Sequence, residues 1–102
     1  PSLFDRVLSR VGIIETPQEA REKRLREQQA TIEYWNRRAE ERRQQWDAKI
    51  RVAFDRNLSE IDQAVSEYKR TLEMNPHDEI SNEMLDAALS EKMELLRQFS
   101  EL

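Results

Sequence analysis

The chain has 102 residues, of which 37% are hydrophobic and 37% charged, with a net charge of -4 at pH 7 and no cysteine. A chain of this length suits one small domain. Because the sequence has no cysteine, it can form neither disulfides nor thiolate zinc sites. No apolar run approaches the roughly 20 residues that a bilayer-spanning helix needs. We therefore expect membrane attachment only through a segment that is absent from this chain.

The sequence contains few residues that would stop a helix. Its single Gly and three Pro leave residues 18–75 free of both types. Helix formers are abundant, whereas Val, Ile and Thr never alternate over the length of a strand. The sequence therefore predicts an all-α fold: a short N-terminal helix, a long central helix and a C-terminal helix that form an antiparallel helical hairpin. We expect residues 1–102 to form a single elongated helical domain.

The first fifteen residues predict an amphipathic arm. Apolar residues recur over 1–15 at helical spacing, and Gly12 would weaken or end this helix. The next four residues read TPQE, in which Thr16 is the expected N-cap, Pro17 the first helical residue and Glu19 the second half of a capping box. The apolar residues of the arm are Leu3, Phe4, Val7, Leu8, Val11 and Ile14.

A long helix is predicted over residues 17–74, a length of roughly 87 Å at 1.5 Å per residue. Its later half carries a continuous apolar stripe from Ile50 to Leu72. Its earlier half has a sparser stripe on a seven-residue register, interrupted by Gln28 and Arg42, which is typical of a weak coiled-coil seam. The members of this seam are Leu25, Ile32, Trp35, Ala39 and Trp46.

The long helix is expected to end at Asn75-Pro76. Pro cannot continue a helix, and Asn tolerates the left-handed conformation that often follows one. Asp78 is the expected N-cap of a return helix over residues 78–102. Because the connection is short, the return helix should lie antiparallel to the last part of the long one.

Folding the sequence about this turn brings apolar residues face to face along both helices. Phe54 then meets Phe99, and Asp62 lies near Lys92, where we expect an ion pair worth about 0 to 1 kcal/mol if it is exposed. The predicted hairpin core consists of Phe54, Leu58, Ile61, Val65, Tyr68, Leu72, Leu85, Ala88, Leu89, Leu96 and Phe99.

The return helix is too short to cover the whole central helix. With about 24 residues it reaches back only to about Arg51, which leaves the seam uncovered unless the N-terminal arm folds back over it or another chain covers it. Exposed aromatic clusters often mark interfaces, so the seam is predicted to be a self-association surface of a homodimer. Residues 19–51 carry a net charge of +3 and residues 52–102 one of -7, which chains packed head to tail would bring together. The interleaved signs of residues 37–43 are, however, typical of a solvated helix face.

The residue types do not favour catalysis or metal binding. The one histidine, His77, follows Glu73 by four residues, but the helix break at Pro76 separates them, and transition-metal sites need several ligands. One glycine and one histidine allow neither a Gly-rich phosphate loop nor a Ser-His-Asp arrangement. We expect a protein that is not an enzyme and that uses no cofactor or metal ion.

Basic and aromatic residues mix in the first part of the long helix, where a nucleic-acid surface has to be considered. Arg37 and Arg38 follow Tyr34 and Trp35 closely. Seven acidic residues within 19–51 oppose a surface that follows phosphates. No nucleic-acid partner is expected.

The second half of the chain carries a longer pattern. Asn57-Leu58, Ile61-Asp62 and Ala64-Val65 precede the break at residues 75–78, and Leu85, Ala88, Lys92 and Leu95-Leu96 follow it. Residues 54–102 thereby resemble the extracytoplasmic C-terminal region of bacterial membrane-tethered anti-sigma factors of the zinc-finger type. The resemblance implies a cytoplasmic zinc-finger domain that holds a sigma factor, one membrane span, and this region as a sensory or oligomerising part on the periplasmic side. The zinc ligands of that family are not in this sequence, so only the hairpin positions correspond.

Two other resemblances compete with this one. Residues 68–76 are similar to the close of a tetratricopeptide repeat, although its period of about 34 residues does not recur. A dimeric helical hairpin is also similar to periplasmic stress chaperones, but their Leu-Thr-x-x-Gln signature is missing from the sequence. We expect a regulatory interaction domain with protein partners, and a helical scaffold or chaperone-like protein is the alternative.

Overall fold

The computed structural model describes residues 15–102, so nearly all of the arm predicted over residues 1–15 lies outside the described part. The described chain contains three helices, α1 (Pro17–Arg43), α2 (Ala48–Met74) and α3 (Glu79–Ser100). No strand occurs among residues 15–102, and the predicted all-α class is confirmed. The chain divides into two compact units, one that ends at Ala30 and one formed by Thr31–Leu102.

Helix α1 begins where the sequence predicts. The Glu19 backbone N–H donates to Thr16 Oγ1 at 3.1 Å, and the Thr16 N–H donates to Glu19 Oε2 at 3.5 Å. This reciprocal pair satisfies two backbone donors at a helix start, as a capping box should. Pro17 is the first helical residue, and an ion pair of 3.3 Å between Lys23 and Glu15 adds a contact across the same end.

The continuous helix predicted over residues 17–74 is wrong, because the chain bends at residues 44–47. Asp47 is the N-cap of α2: its backbone is extended, with φ -70° and ψ 170°, and its carboxylate accepts from the Ile50 N–H at 3.0 Å. This bond satisfies a donor that a helix start leaves free. The bend also turns Trp46 into the interior, where it is 4% exposed. Burial of a large aromatic surface favours the bend over a straight helix.

Helices α2 and α3 are joined by residues 75–78. The Asn75 N–H closes α2 by donating to the Thr71 carbonyl at 2.8 Å, but its φ of -142° shows that the expected left-handed conformation is not adopted. Pro76 directly after Asn75 favours such an extended backbone. Asp78 caps α3 as predicted, because its carboxylate accepts from the Ser81 N–H at 3.1 Å.

The two helices pack against each other in antiparallel directions. The Phe54 and Phe99 rings meet with centroids 5.1 Å apart, and Lys92 Nζ lies 2.7 Å from Asp62 Oδ1, which confirms the predicted ion pair. The predicted core residues lie on the inner faces. Phe54, Val65, Ala88 and Leu96 are buried, and Leu58, Ile61, Tyr68, Leu72, Leu85, Leu89 and Phe99 are half-buried.

Candidate interaction surfaces

An aromatic cluster joins the bend to both helices of the pair. The Trp46 ring lies 5.0 Å from the Phe54 ring and 5.5 Å from the Phe99 ring, measured between centroids. Leu96 and Ala39 complete this cluster, and both are fully buried. Tilted and edge-on aromatic pairs at such distances add attraction beyond the area that they bury. The cluster therefore fixes the end of α1 on the α2–α3 pair.

The predicted self-association seam is wrong for the residues at this cluster. Ala39 is 0% and Trp46 4% exposed within a single chain, and Ile32 and Trp35 are half-buried against the same cluster. The expectation that these residues face solvent assumed a straight helix, and the bend removes that assumption. Leu25, the remaining seam residue, belongs to the first unit and is exposed.

Two arginines at the end of α1 reach across to other parts of the second unit. Arg43 donates to both carboxylate oxygens of Asp55 in α2, at 3.3 and 2.6 Å, and this hydrogen bond raises the pKa of the Arg43 guanidinium. Arg42 donates to the Leu102 main-chain oxygen and to Gln45 Oε1, each at 2.9 Å. A two-pronged Arg–carboxylate contact fixes orientation as well as distance. These contacts lie at the protein surface, where ion pairs stabilise only modestly.

An open groove of about 580 Å³ lies along α2 next to the last turns of α1. Its apolar lining comes from Phe54 and Leu58, and its rim carries the carboxylates of Glu40 and Glu67 together with Arg70. Asp55 and Asp62 also line it, but their carboxylates are engaged by Arg43 and Lys92. The groove is acidic, and nothing in its lining identifies a ligand chemistry more specific than positive charge.

Large apolar side chains are exposed at the end of the hairpin where α2 and α3 connect. Met74, the last residue of α2, is 84% exposed, and Ile80, in the first turn of α3, is 73% exposed. Met84 follows Ile80 by four residues, so both lie on the same face of α3, and Met84 is also exposed. We call Met74, Ile80 and Met84 the hairpin-end surface.

A second exposed group lies on α1. The Tyr34 and Trp35 rings meet edge to face with centroids 5.0 Å apart, and the Arg38 guanidinium carbon lies 5.7 Å from the Tyr34 centroid. Arg38 also donates to the Tyr34 hydroxyl at 3.4 Å. Tyr, Trp and Arg are the residues most enriched at binding hot spots. The contacts among these three residues are, however, internal to one helix and restrain Arg38 on its own aromatic neighbours, while Trp35 also packs against the aromatic cluster.

Neither a metal cluster nor a membrane span is found in residues 15–102. No group of three or more His, Asp or Glu side chains is arranged to hold a metal ion there. Within the same range, none of the helices is apolar enough over sufficient length to cross a bilayer. His77 lies in the connection between α2 and α3 and is exposed.

The chain was compared with protein families, curated proteins and solved structures. No family model matches it, and neither the curated proteins nor the solved structures give a match. Arguments about its function therefore rest on its own residues and on the resemblance of residues 54–102.

Reasoning from the sequence missed the bend and the surface groups at the end of α1. Asp47 carried the signal for the bend, because Asp is disfavoured inside a helix and strongly favoured as an N-cap. Trp46 directly before it is the residue that gains most from turning inward. The contact between Arg43 and Asp55 had no sequence signal of its own, since it depends on the bend.

Proposed function

We propose that this chain is a non-catalytic interaction domain that binds a partner protein through the hairpin-end surface. The observation that carries the proposal is the exposure of Met74 and Ile80 on either side of the connection between α2 and α3, next to the Asp78 cap. Large apolar side chains that are exposed together at one end of a fold can mark a protein interaction site.

The charges around the hairpin-end surface indicate the chemistry of the partner. Acidic residues dominate the two helix ends there, with Glu73 in the last turn of α2 and Asp78, Glu79 and Glu83 at the start of α3. A partner that presents an apolar pocket bordered by Lys or Arg would complement both features. The basic border of the partner's pocket would speed association. This electrostatic effect would weaken as the salt concentration is raised.

The resemblance of residues 54–102 supports the proposal of a regulatory role for this domain. We propose that it is the extracytoplasmic, sensory part of an anti-sigma-factor-like transcription regulator, whose membrane segment lies outside this chain. Binding at the hairpin end would then be the event that is reported across the membrane. The hairpin positions on which the resemblance depends, Leu58, Leu85 and Lys92 among them, hold the surface in place without being part of it.

A second candidate function follows from the two methionines of the hairpin-end surface. Methionine side chains adapt to different partners and are common at promiscuous binding surfaces. A scaffold or chaperone-like protein, which holds unfolded segments of other proteins, would use Met74 and Met84 in this way.

The regulatory role is tested by a double substitution, Met74→Ser with Ile80→Ser, in the gene of the source organism. Both residues are exposed, so the domain should remain folded, with a change in stability within about 0.5 kcal/mol. The matched control is Val52→Ser, because Val52 is 63% exposed but lies near the start of α2, away from the hairpin end. We expect the double variant, and not the control, to change the transcript levels of one coherent group of genes.

Unchanged transcripts in the double variant would contradict the regulatory role. The chaperone-like alternative is tested with purified protein by heating citrate synthase in its presence. Suppressed aggregation by the wild-type chain and by Val52→Ser, but not by the double variant, would support that alternative.

A further inference from the structure

Side-chain contacts help to hold the bend at residues 44–47. We propose that these residues are a hinge, and that its opening allows two copies of this chain to form a domain-swapped homodimer. In this dimer residues 31–43 of each copy pack on the α2–α3 pair of the other, and α1 continues into α2 as one helix. This inference is independent of the hairpin-end surface.

The sequence of the hinge is compatible with a straight helix. Residues 44–47 read QQWD and contain neither Gly nor Pro, and the nearest Pro on either side are Pro17 and Pro76. In the bent chain, the Gln45 and Trp46 N–H groups donate to the carbonyls of Arg42 and Arg43 at 2.9 and 3.2 Å, three residues back. In a straight helix the same groups donate four residues back. Opening therefore exchanges one set of backbone hydrogen bonds for another.

The contacts that keep the bent form closed are few. They are the Asp47 cap on the Ile50 N–H, the Arg43–Asp55 pair, the Arg42 bond to Leu102, and the packing of Ile32, Trp35, Ala39 and Trp46 in the aromatic cluster. Apart from the cap and the packing of Trp46, which lies in the hinge itself, each contact joins α1 to the α2–α3 pair. Each can therefore form equally well with the pair of a second copy.

Because the same contacts can form within one chain or between two chains, the balance between monomer and dimer depends on what differs between them. A swapped dimer keeps every contact between α1 and the pair and gains a continuous helix in place of the bend. It loses the Asp47 caps and the freedom of two separate molecules. Short connections between exchangeable elements are the usual place for such swapping. The bent monomer is expected at low protein concentration and the dimer at high concentration.

The buried Trp46 side chain adds an independent observation. Among residues 15–102 its indole N–H finds no hydrogen-bond partner, although the atom is buried, and buried indole N–H groups usually have one. Opening the hinge exposes this group to water, where it is satisfied. The closed form therefore carries a small unfavourable term at the residue that must move, and this term offsets part of the stabilisation from the packing of Trp46.

The substitution Ala48→Pro should lock the bend. Ala48 is the first residue of α2, where Pro is well tolerated, and Asp47 before it already has the extended backbone that Pro requires. In a continuous helix the same Pro would remove an interior hydrogen bond and collide with the Gln44 carbonyl. We expect Ala48→Pro to be folded, with the α-helical circular dichroism of the wild type, and to weaken dimerisation at least about 100-fold.

The substitution Asp47→Ala should favour the dimer. It removes the cap that only the bent form uses and places a stronger helix former inside the straight one, so dimerisation should tighten about tenfold or more. The matched control is Asp78→Ala, which removes the equivalent cap of α3, where Pro76 prevents a continuous helix. The control is expected to be destabilised but not to dimerise more strongly.

The decisive measurement is the mass by light scattering over a range of protein concentrations, combined with a distance between spin labels at Glu33 and Lys69. Labelled chains are diluted with unlabelled ones so that the distance is measured within one chain. In the dimer of Asp47→Ala, a straight helix predicts about 54 Å between the labelled positions. A dimer with the shorter distance of the bent form, or one that Ala48→Pro leaves intact, would overturn the proposal. A chain that stays monomeric with Asp47→Ala at millimolar concentration would overturn it as well.

Discussion

Leu96 is the aliphatic residue on which most of the junction between the helices depends. It is fully buried in the cluster of Trp46 and Phe54, and truncation of such a side chain leaves a cavity that the surroundings fill only in part. We expect Leu96→Ala to lower the free energy of unfolding by about 2 to 5 kcal/mol, measured by urea denaturation at low micromolar concentration.

Leu102 supplies the control for this substitution, because its side chain is 54% exposed. Leu102→Ala should change the free energy of unfolding by less than about 0.5 kcal/mol. Its main-chain oxygen, which accepts from Arg42, is unaffected by the substitution. Equal losses for the two variants would show that the cluster does not have the packing described here.

Residue patterns were sufficient to predict the caps and the hairpin core. Thr16, Glu19 and Asp78 act through neighbours three positions away, and such short-range chemistry is visible in the sequence alone. The environment of Trp46 was not visible in this way. Its burial depends on Phe99, which belongs to another helix, and an exposed or buried Trp on a helix gives the same periodic pattern.

At the scale of the element, the end of α3 is stabilised by a charged group of its own. Arg97 Nε donates to Glu94 at 3.0 Å, and Arg97 Nη1 donates to Glu101 at 2.8 Å. The hydrogen bonds from Arg97 lower the pKa of the Glu94 carboxyl below its ordinary value. A carboxyl whose pKa is lowered by folding stabilises the fold when it is ionised.

The sign of this effect gives a prediction for pH. The contribution of Glu94 is fully present above its unfolded pKa of about 4.3 and is lost as the pH falls through its lower folded pKa. Glu94→Gln should therefore lower Tm slightly at pH 7, and the difference from the wild type should shrink as the solution is acidified below about pH 4. Thermal unfolding followed by circular dichroism measures the Tm difference between variant and wild type at each pH. Glu91→Gln is the control on the same helix. A difference that grows on acidification would contradict this account.

The sequence predicted which elements form but not where the longest one bends. Helix type, the break at Pro76 and the pairing of α2 with α3 follow from periodicity and from a short connection, and these signals are local. At residues 44–47 the local sequence allows two backbone arrangements, and Asp47 is a weak local signal for the bent one. The packing of α1 on the finished pair makes one of them better. The aromatic cluster around Trp46 depends on the bend, and for the same reason it could not be predicted from the sequence.

For the molecule as a whole, the second unit should open in a fixed order. Helices α2 and α3 pack along their length, whereas in residues 31–43 Ala39 is the buried residue and Ile32 and Trp35 are only half-buried. Regions with fewer buried contacts exchange their amide hydrogens through local openings of lower free energy. We expect residues 31–38 to exchange faster than the centres of α2 and α3, as measured by hydrogen exchange with mass spectrometry. Uniform protection across the unit would contradict this expectation.

The bond from Arg42 to Leu102 has a consequence for how the protein is made. Its two ends are 60 positions apart in the chain. Trp46 and its partner Phe99 are separated by almost as many residues. At about 5 to 20 residues per second, a ribosome needs roughly 3 to 12 s to add that stretch. During this interval α1 is present and its aromatic side chains have nothing to cover them. The newborn chain is therefore most prone to aggregate before its last helix is complete, and slow translation of the segment that encodes α3 would lengthen that period.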